Sequence, residues 1–204
     1  MGGEECGEIA SYIAAKNAAA FEFRKDVIAG LSQFCQDVNA DICSYANKNE
    51  IYAMGTTAAM LAFTDNGVFL CNIGDSRIFL FCNGKLEQIS KDHVTVAAYG
   101  VKPQLSQNLG IPPTELIIDP YFAQGAYNDG DVYLICSDGL TDMVTKEEIS
   151  EILNFKPVVE GCRELLKKAL SNGGKDNITI ILCKIERESG GFFKRKRKIQ
   201  KKEV

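Results

Sequence analysis

The chain has 204 residues, a formal net charge of −4, 46% hydrophobic residues, 5 Pro and 8 Cys. That length suits one domain, or one domain with a tail, and the apolar share supports a packed core rather than a disordered chain or a repeat solenoid. No apolar run approaches the ~20 residues that span a bilayer, no basic-then-apolar leader opens the chain, and the cysteines lack Cys-x-x-Cys spacing, which argues against a zinc or redox motif.

Cys71, Cys82, Cys136 and Cys183 fall inside apolar runs, where a thiol behaves as a small hydrophobe. The expected setting is therefore reduced and cytoplasmic. Charge is unevenly spread. Residues 194–202 (KRKRKIQKK) carry 7 of the 23 basic groups, while residues 1–193 hold 16 basic and 26 acidic groups, a net of −10. An acidic body with a basic end is the result.

Residues 1–50 read as helical. Ala10, Ile13, Ala14 and Ala18 recur near helical spacing, as do Val27, Leu31, Phe34 and Val38, and Asn47-Lys48-Asn49 closes the second helix. The period then changes. Residues 51–54, 57–63, 67–73 and 77–82 are short, β-branched and aromatic-rich. Asp65-Asn66-Gly67 and Asn83-Gly84 punctuate them as hairpin turns, which predicts an antiparallel meander. Residues 92–114 contain Pro103, Pro112 and Pro113 without clear periodicity, and are expected as a surface loop with one turn of helix. Strands are expected again at 115–118 and 132–136. Thr145-Lys146-Glu147-Glu148 has the pattern of a capping box and opens a helix toward Leu153. Pro157 starts another helix to about Leu170, stopped by Ser171-Asn172-Gly173-Gly174, and residues 178–185 form the last strand. Helices, then antiparallel strands, then helices and a closing strand predict an α+β layered fold.

Two acidic motifs adjoin the strongest apolar runs. Ser137-Asp138-Gly139 follows Val132-Tyr133-Leu134-Ile135-Cys136, and Lys175-Asp176-Asn177 precedes Ile178-Thr179-Ile180-Ile181-Leu182. If those strands run antiparallel and close together, Asp138 and Asp176 meet at one end of a sheet. Carboxylates held together repel unless a proton or cation sits between them. Mg2+ and Mn2+ prefer such hard oxygen ligands, and Gly139 allows the backbone to turn tightly beside an ion. Asp75, in Gly74-Asp75-Ser76-Arg77, is a third acid at a strand end. Each motif alone also reads as a turn, a strand-edge cap or a local Asp–Arg pair.

In this order the motifs resemble those of the metal-dependent Ser/Thr protein phosphatases (the PPM, or type 2C, family) in their bacterial form. Met1-Gly2-Gly3-Glu4 with Gly7-Glu8-Ile9-Ala10-Ser11 is similar to the end of the family's Asp-Gly-Met-Gly-Gly segment and the helix after it. Met54-Gly55-Thr56-Thr57, Gly74-Asp75-Ser76-Arg77, Lys91-Asp92-His93, Ser137-Asp138-Gly139 and Lys175-Asp176-Asn177 follow in family order, over about residues 1–186. The resemblance implies a four-layer α-β-β-α sandwich of two antiparallel sheets flanked by helices. It implies hydrolysis of phosphoserine and phosphothreonine by a metal-activated water, with two or three Mn2+ or Mg2+ ions. Asp138 and Asp176 would be ligands of the second metal, and Asp75 with Asp138 of the third. Lys91-Asp92-His93 would shape the floor below a short flap, with His93, the only histidine, in a structural role. Phosphorylated proteins, products of a Ser/Thr kinase, would be the partners, and no nucleic acid is expected.

The family's Asp-Gly pair stands just before the position of Met1, with a phosphate-binding Arg further upstream. Residues 1–187 are therefore expected to form a phosphatase-like domain incomplete at its N-terminus and lacking strands there, and no residue present takes the catalytic Arg's role. The alternative expectation is a catalytically weak or inactive phosphatase-like binding and regulatory module. Residues 188–204 are expected as a basic disordered tail, either merely solvated or touching an anionic membrane or an acidic partner.

Overall fold

The computed structural model describes residues 6–22, 25–98 and 100–186. The Met1-Gly2-Gly3-Glu4 motif and the basic segment 194–202 lie outside the described residues. In chain order the elements are α1 (Gly7–Ala19), α2 (Val27–Lys48), β1 (Ala58–Thr64), β2 (Gly67–Ile73), β3 (Arg77–Cys82), β4 (Lys85–Gln88), β5 (Tyr121–Gly125), β6 (Val132–Cys136), α3 (Asp138–Thr141), α4 (Lys146–Phe155), α5 (Val158–Ser171) and β7 (Ile180–Lys184). The fold is α+β, with two antiparallel sheets and helices on each, as the sequence predicts. The described residues divide into two compact units, one drawn from residues 6–62, 69–75 and 92–122, the other from 63–68, 76–91 and 123–186.

The first unit centres on α2. Asp26 caps it, its Oδ1 accepting the Ala29 N–H at 3.0 Å. Leu31, Phe34, Val38 and Ile42 recur at helical spacing and are buried against Phe69, Cys71 and Ile73 of β2. Every residue of β2 is buried, which fits its near-continuous apolar run, with Asn72 as the one polar side chain in it. The Cys35 and Cys71 thiols meet at 3.5 Å across this core, and the hydrogen bond with Cys35, then burial, drive Cys71 far above the ordinary thiol range.

In the second unit the strand order is β4-β3-β6-β7, every pair antiparallel. Phe79 pairs with Leu134, and Leu134 with Leu182. Alternate residues of these strands meet Leu140, Ile149, Leu153, Leu165 and Ala169 of α3, α4 and α5. Asn83 and Gly84 both have positive φ, 50° and 74°, as a tight primed hairpin turn between β3 and β4 requires. The Thr145 capping box forms in both directions, with Glu148 N–H to Thr145 Oγ1 at 3.3 Å and Thr145 N–H to Glu148 Oε2 at 3.0 Å.

Four expectations need correction. Residues 51–54 are not a strand: the Ile51 N–H turns back to the Ala46 carbonyl at 2.9 Å to finish α2, and the first strand starts at Ala58. Residues 115–118 are not a strand either, because the Pro112 carbonyl gathers the Glu115 and Leu116 N–H groups into a turn, and the strand forms later as β5. The stretch 92–114 is more than surface loop. Leu109 is fully buried and exchanges two 2.9 Å backbone hydrogen bonds with Thr56, while Asn39 Oδ1 accepts the Gly110 and Ile111 N–H groups. Finally, the strands predicted as one meander divide between sheets, since β2 joins β1 and β5 while β3 joins β4 and β6.

Candidate metal centre

The β6–β7 ladder ends on the pair Cys136–Ile180. One residue beyond, the Ser137 N–H still reaches the Thr179 carbonyl at 3.2 Å, and then the chain turns into α3 at Asp138. Here the ladder is replaced by a side chain. Ser137 Oγ donates to the Asn177 carbonyl at 3.0 Å and accepts the Thr179 N–H at 3.0 Å. Asp138 and the Asp176–Asn177 segment are thus brought to the same end of the sheet, as expected from the two strand-end motifs.

Gly139 makes the approach possible. A Cβ at this position would lie 2.3 Å from the Asn177 carbonyl oxygen and 3.5 Å from the Asp176 carbonyl carbon, so only glycine fits. Asp138 is half-buried and Asp176 exposed. Asp176 Oδ1 accepts its neighbour's N–H, that of Asn177, at 2.7 Å, which orients the carboxylate. Behind Asp138, Arg77 Nη1 donates to Thr141 Oγ1 at 2.8 Å, and Thr141 Oγ1 donates to the Asp138 carbonyl at 3.4 Å. The loop ahead of Asp176 is held by Asn172, whose Nδ2 donates to the Met143 carbonyl at 2.7 Å.

Asp75 occupies a different turn, in the first unit, after β2. Gly74 before it has φ +103°, and a Cβ there would sit 2.3 Å from Thr57 Cγ2. The Gly74 carbonyl accepts the His93 N–H at 3.0 Å and Asn72 Nδ2 at 3.3 Å, and the His93 ring Nδ1 lies 3.2 Å from the Gly74 N. His93 therefore fixes the peptide that carries Asp75, a structural role.

Among the described residues no three His, Cys, Asp or Glu side chains group closely enough to hold a metal ion by themselves. The pair Asp138 and Asp176 nonetheless fits Mg2+ or Mn2+ chemistry. Both donors are carboxylate oxygens, and small hard cations are commonly held by one or two carboxylates, with waters and substrate phosphate completing the shell. Ser137, which clamps the two acidic segments, was not singled out as a functional residue from the sequence. Its position at the end of a strand and directly before an acid is the signal that could have found it.

The protein-family profile described as Protein phosphatase 2C matches residues 2–171. The chain belongs to the protein phosphatase 2C family. Serine/threonine phosphatase stp of Listeria monocytogenes is 31% identical over 208 residues, covering 92% of this chain and 82% of that protein. Serine/threonine protein phosphatase PstP of Mycobacterium tuberculosis is 31% identical over 199 residues, 91% of this chain but 39% of PstP, so the chain spans well under half of that relative. The solved catalytic domain of PstP in complex with two manganese ions matches this chain with a TM-score of 0.79 and 30% identity, covering 92% of this chain and 85% of that one.

Proposed function

We propose that this chain hydrolyses phosphoserine and phosphothreonine in proteins with Mn2+ or Mg2+, and that Asp138 and Asp176 are ligands of one of those ions. The observation that carries the reading is the junction of Ser137-Asp138-Gly139 with Asp176-Asn177, where backbone hydrogen bonds and a glycine-only approach bring two carboxylate-bearing segments to one sheet end. Family membership and the manganese-bound relative support it. Bound ions of this kind neutralise phosphate charge and make water a stronger nucleophile at neutral pH. The protein's own part is to hold the donors: Ser137 ties the two segments, the Asn177 N–H orients Asp176, and the Arg77–Thr141 contact supports the turn that carries Asp138. Asp75, on its His93-held turn, is assigned to a further, weaker ion. On this reading the substrates are proteins phosphorylated by a Ser/Thr kinase, and the setting is cytoplasmic. Among the described residues no helix is long and apolar enough to cross a membrane.

Phosphate release from a phosphothreonine peptide, followed with and without Mn2+, tests the reading. D138A and D176A are each expected to lower the Mn2+-dependent rate by more than the ~10–100-fold typical of groups that only orient a ligand. Turnover that survives both substitutions refutes the assignment. Binding of the phosphopeptide without any Mn2+-dependent release supports the alternative, a phosphatase-like binding module.

A further inference from the structure

We propose that Ser137 is a positioning residue for cation binding: its hydroxyl fixes the spacing of the Asp138 and Asp176 segments and so sets the affinity of the site for a divalent cation. The inference rests on the metal-dependent reading above and adds to it a residue that touches neither ion nor phosphate.

From Cys136–Ile180 onward the two strands should separate, because the chain on one side turns into α3. They do not separate at once, and a single residue accounts for this. Ser137 uses its N–H toward the Thr179 carbonyl, its hydroxyl hydrogen toward the Asn177 carbonyl, and its hydroxyl oxygen toward the Thr179 N–H. These three bonds bracket the stretch directly after Asp176, and the residue after Ser137 is Asp138. Only a short hydroxyl side chain can give and take a hydrogen bond at one atom so near the backbone. Gly139 does the complementary work, since the absence of a side chain lets the Asn177 carbonyl come close.

Both hydroxyl bonds are solvent-exposed. Water can therefore satisfy the Asn177 carbonyl and the Thr179 N–H when the hydroxyl is removed, and the fold should survive. What water cannot do is hold the two acidic segments at one fixed separation. Loss of Ser137 should thus separate cation affinity from stability, which a purely structural role would not do.

The test uses the intact chain and Mn2+ alone, with free Mn2+ followed by electron paramagnetic resonance during titration and thermal unfolding measured in parallel without metal. S137A, and S137C, which is close in size but a poor hydrogen-bonding group, should raise the Mn2+ dissociation constant about 10–100-fold while unfolding near the wild-type temperature. S137T keeps the hydroxyl and should bind close to wild type. If wild type binds Mn2+ and S137A and S137C bind equally well, the role of Ser137 is overturned while the metal reading stands. If S137T is as weak as S137A, the hydroxyl is not the cause and the proposal also fails. If the wild-type chain does not bind Mn2+, the metal reading falls and this inference with it.

Discussion

Gly139 illustrates how one residue type can be anticipated for the wrong reason. From the sequence its value lay in backbone freedom beside an ion. In the structure its constraint is space, because a Cβ would lie 2.3 Å from the Asn177 carbonyl oxygen, and the atom in the way is backbone that cannot swing aside. G139A should therefore push the Asp176 segment off the sheet end, destabilising the protein by about 1–3 kcal/mol, the usual range for overpacking. Gly161, buried in α5, provides the contrast. The nearest atoms to a Cβ there would be side-chain carbons of Leu153, Leu182 and Lys156 at 3.7–3.8 Å, which is ordinary contact. G161A should stabilise the helix by about 0.5–1 kcal/mol through the lower backbone entropy of alanine. Urea unfolding of the two variants decides the pair: equal shifts of the same sign would mean that the Asn177 approach is not the constraint. Of the candidate site, the meeting of the Asp138 and Asp176 segments at one sheet end was legible because each acid adjoins an apolar strand. Ser137 was not, because its three hydrogen bonds depend on which strand becomes its neighbour.

The elements that the sequence announced are those written in local chemistry. The Thr145 box, the Asn83-Gly84 turn and the Gly173-Gly174 stop of α5 each form from residues within a few positions of one another, and each is present. The elements missed depend on distant partners. β5 (Tyr121–Gly125) has no apolar alternation of its own and exists because β2 lies beside it, and β3 goes to β6 although β2 is its neighbour in sequence. Leu109 is core because Thr56 pairs with it, not because of a period in residues 92–114. The cap makes a testable element-scale case. T145A should cost about 1 kcal/mol through loss of the N-cap. Glu148 adds a pH dependence. Its hydrogen bond with Lys168, then the Thr145 N–H, hold its carboxyl below the ordinary value. A carboxyl lowered on folding contributes stability above its unfolded value and loses it as pH falls through the folded one. E148Q should therefore be less stable than wild type near neutrality, with the gap closing in acid. A gap that widened in acid would contradict the assignment.

At the scale of the whole chain the distribution of charge matters more than its total. The net −4 combines a −10 stretch at residues 1–193 with a run of seven cations at 194–202, preceded by Phe192-Phe193, and the one acid after it, Glu203. Cations near an anionic lipid surface contribute roughly 1 kcal/mol each, and that attraction fades within a Debye length as salt is added. The acidic body should be repelled by the same surface, so any attraction must come from the basic run. Sedimentation with vesicles containing phosphatidylserine should therefore show the full chain bound at low salt and released as salt is raised, with no binding to neutral phosphatidylcholine vesicles. A chain ending at residue 187 should not bind either kind, yet should release phosphate from a soluble phosphothreonine peptide at the full-length rate, because Ser137, Asp138 and Asp176 all precede the deletion. Binding that survives the deletion would move the contact to the body. A truncated chain that bound no vesicles but also lost turnover would show that the basic run acts on the phosphatase site rather than on where the protein sits.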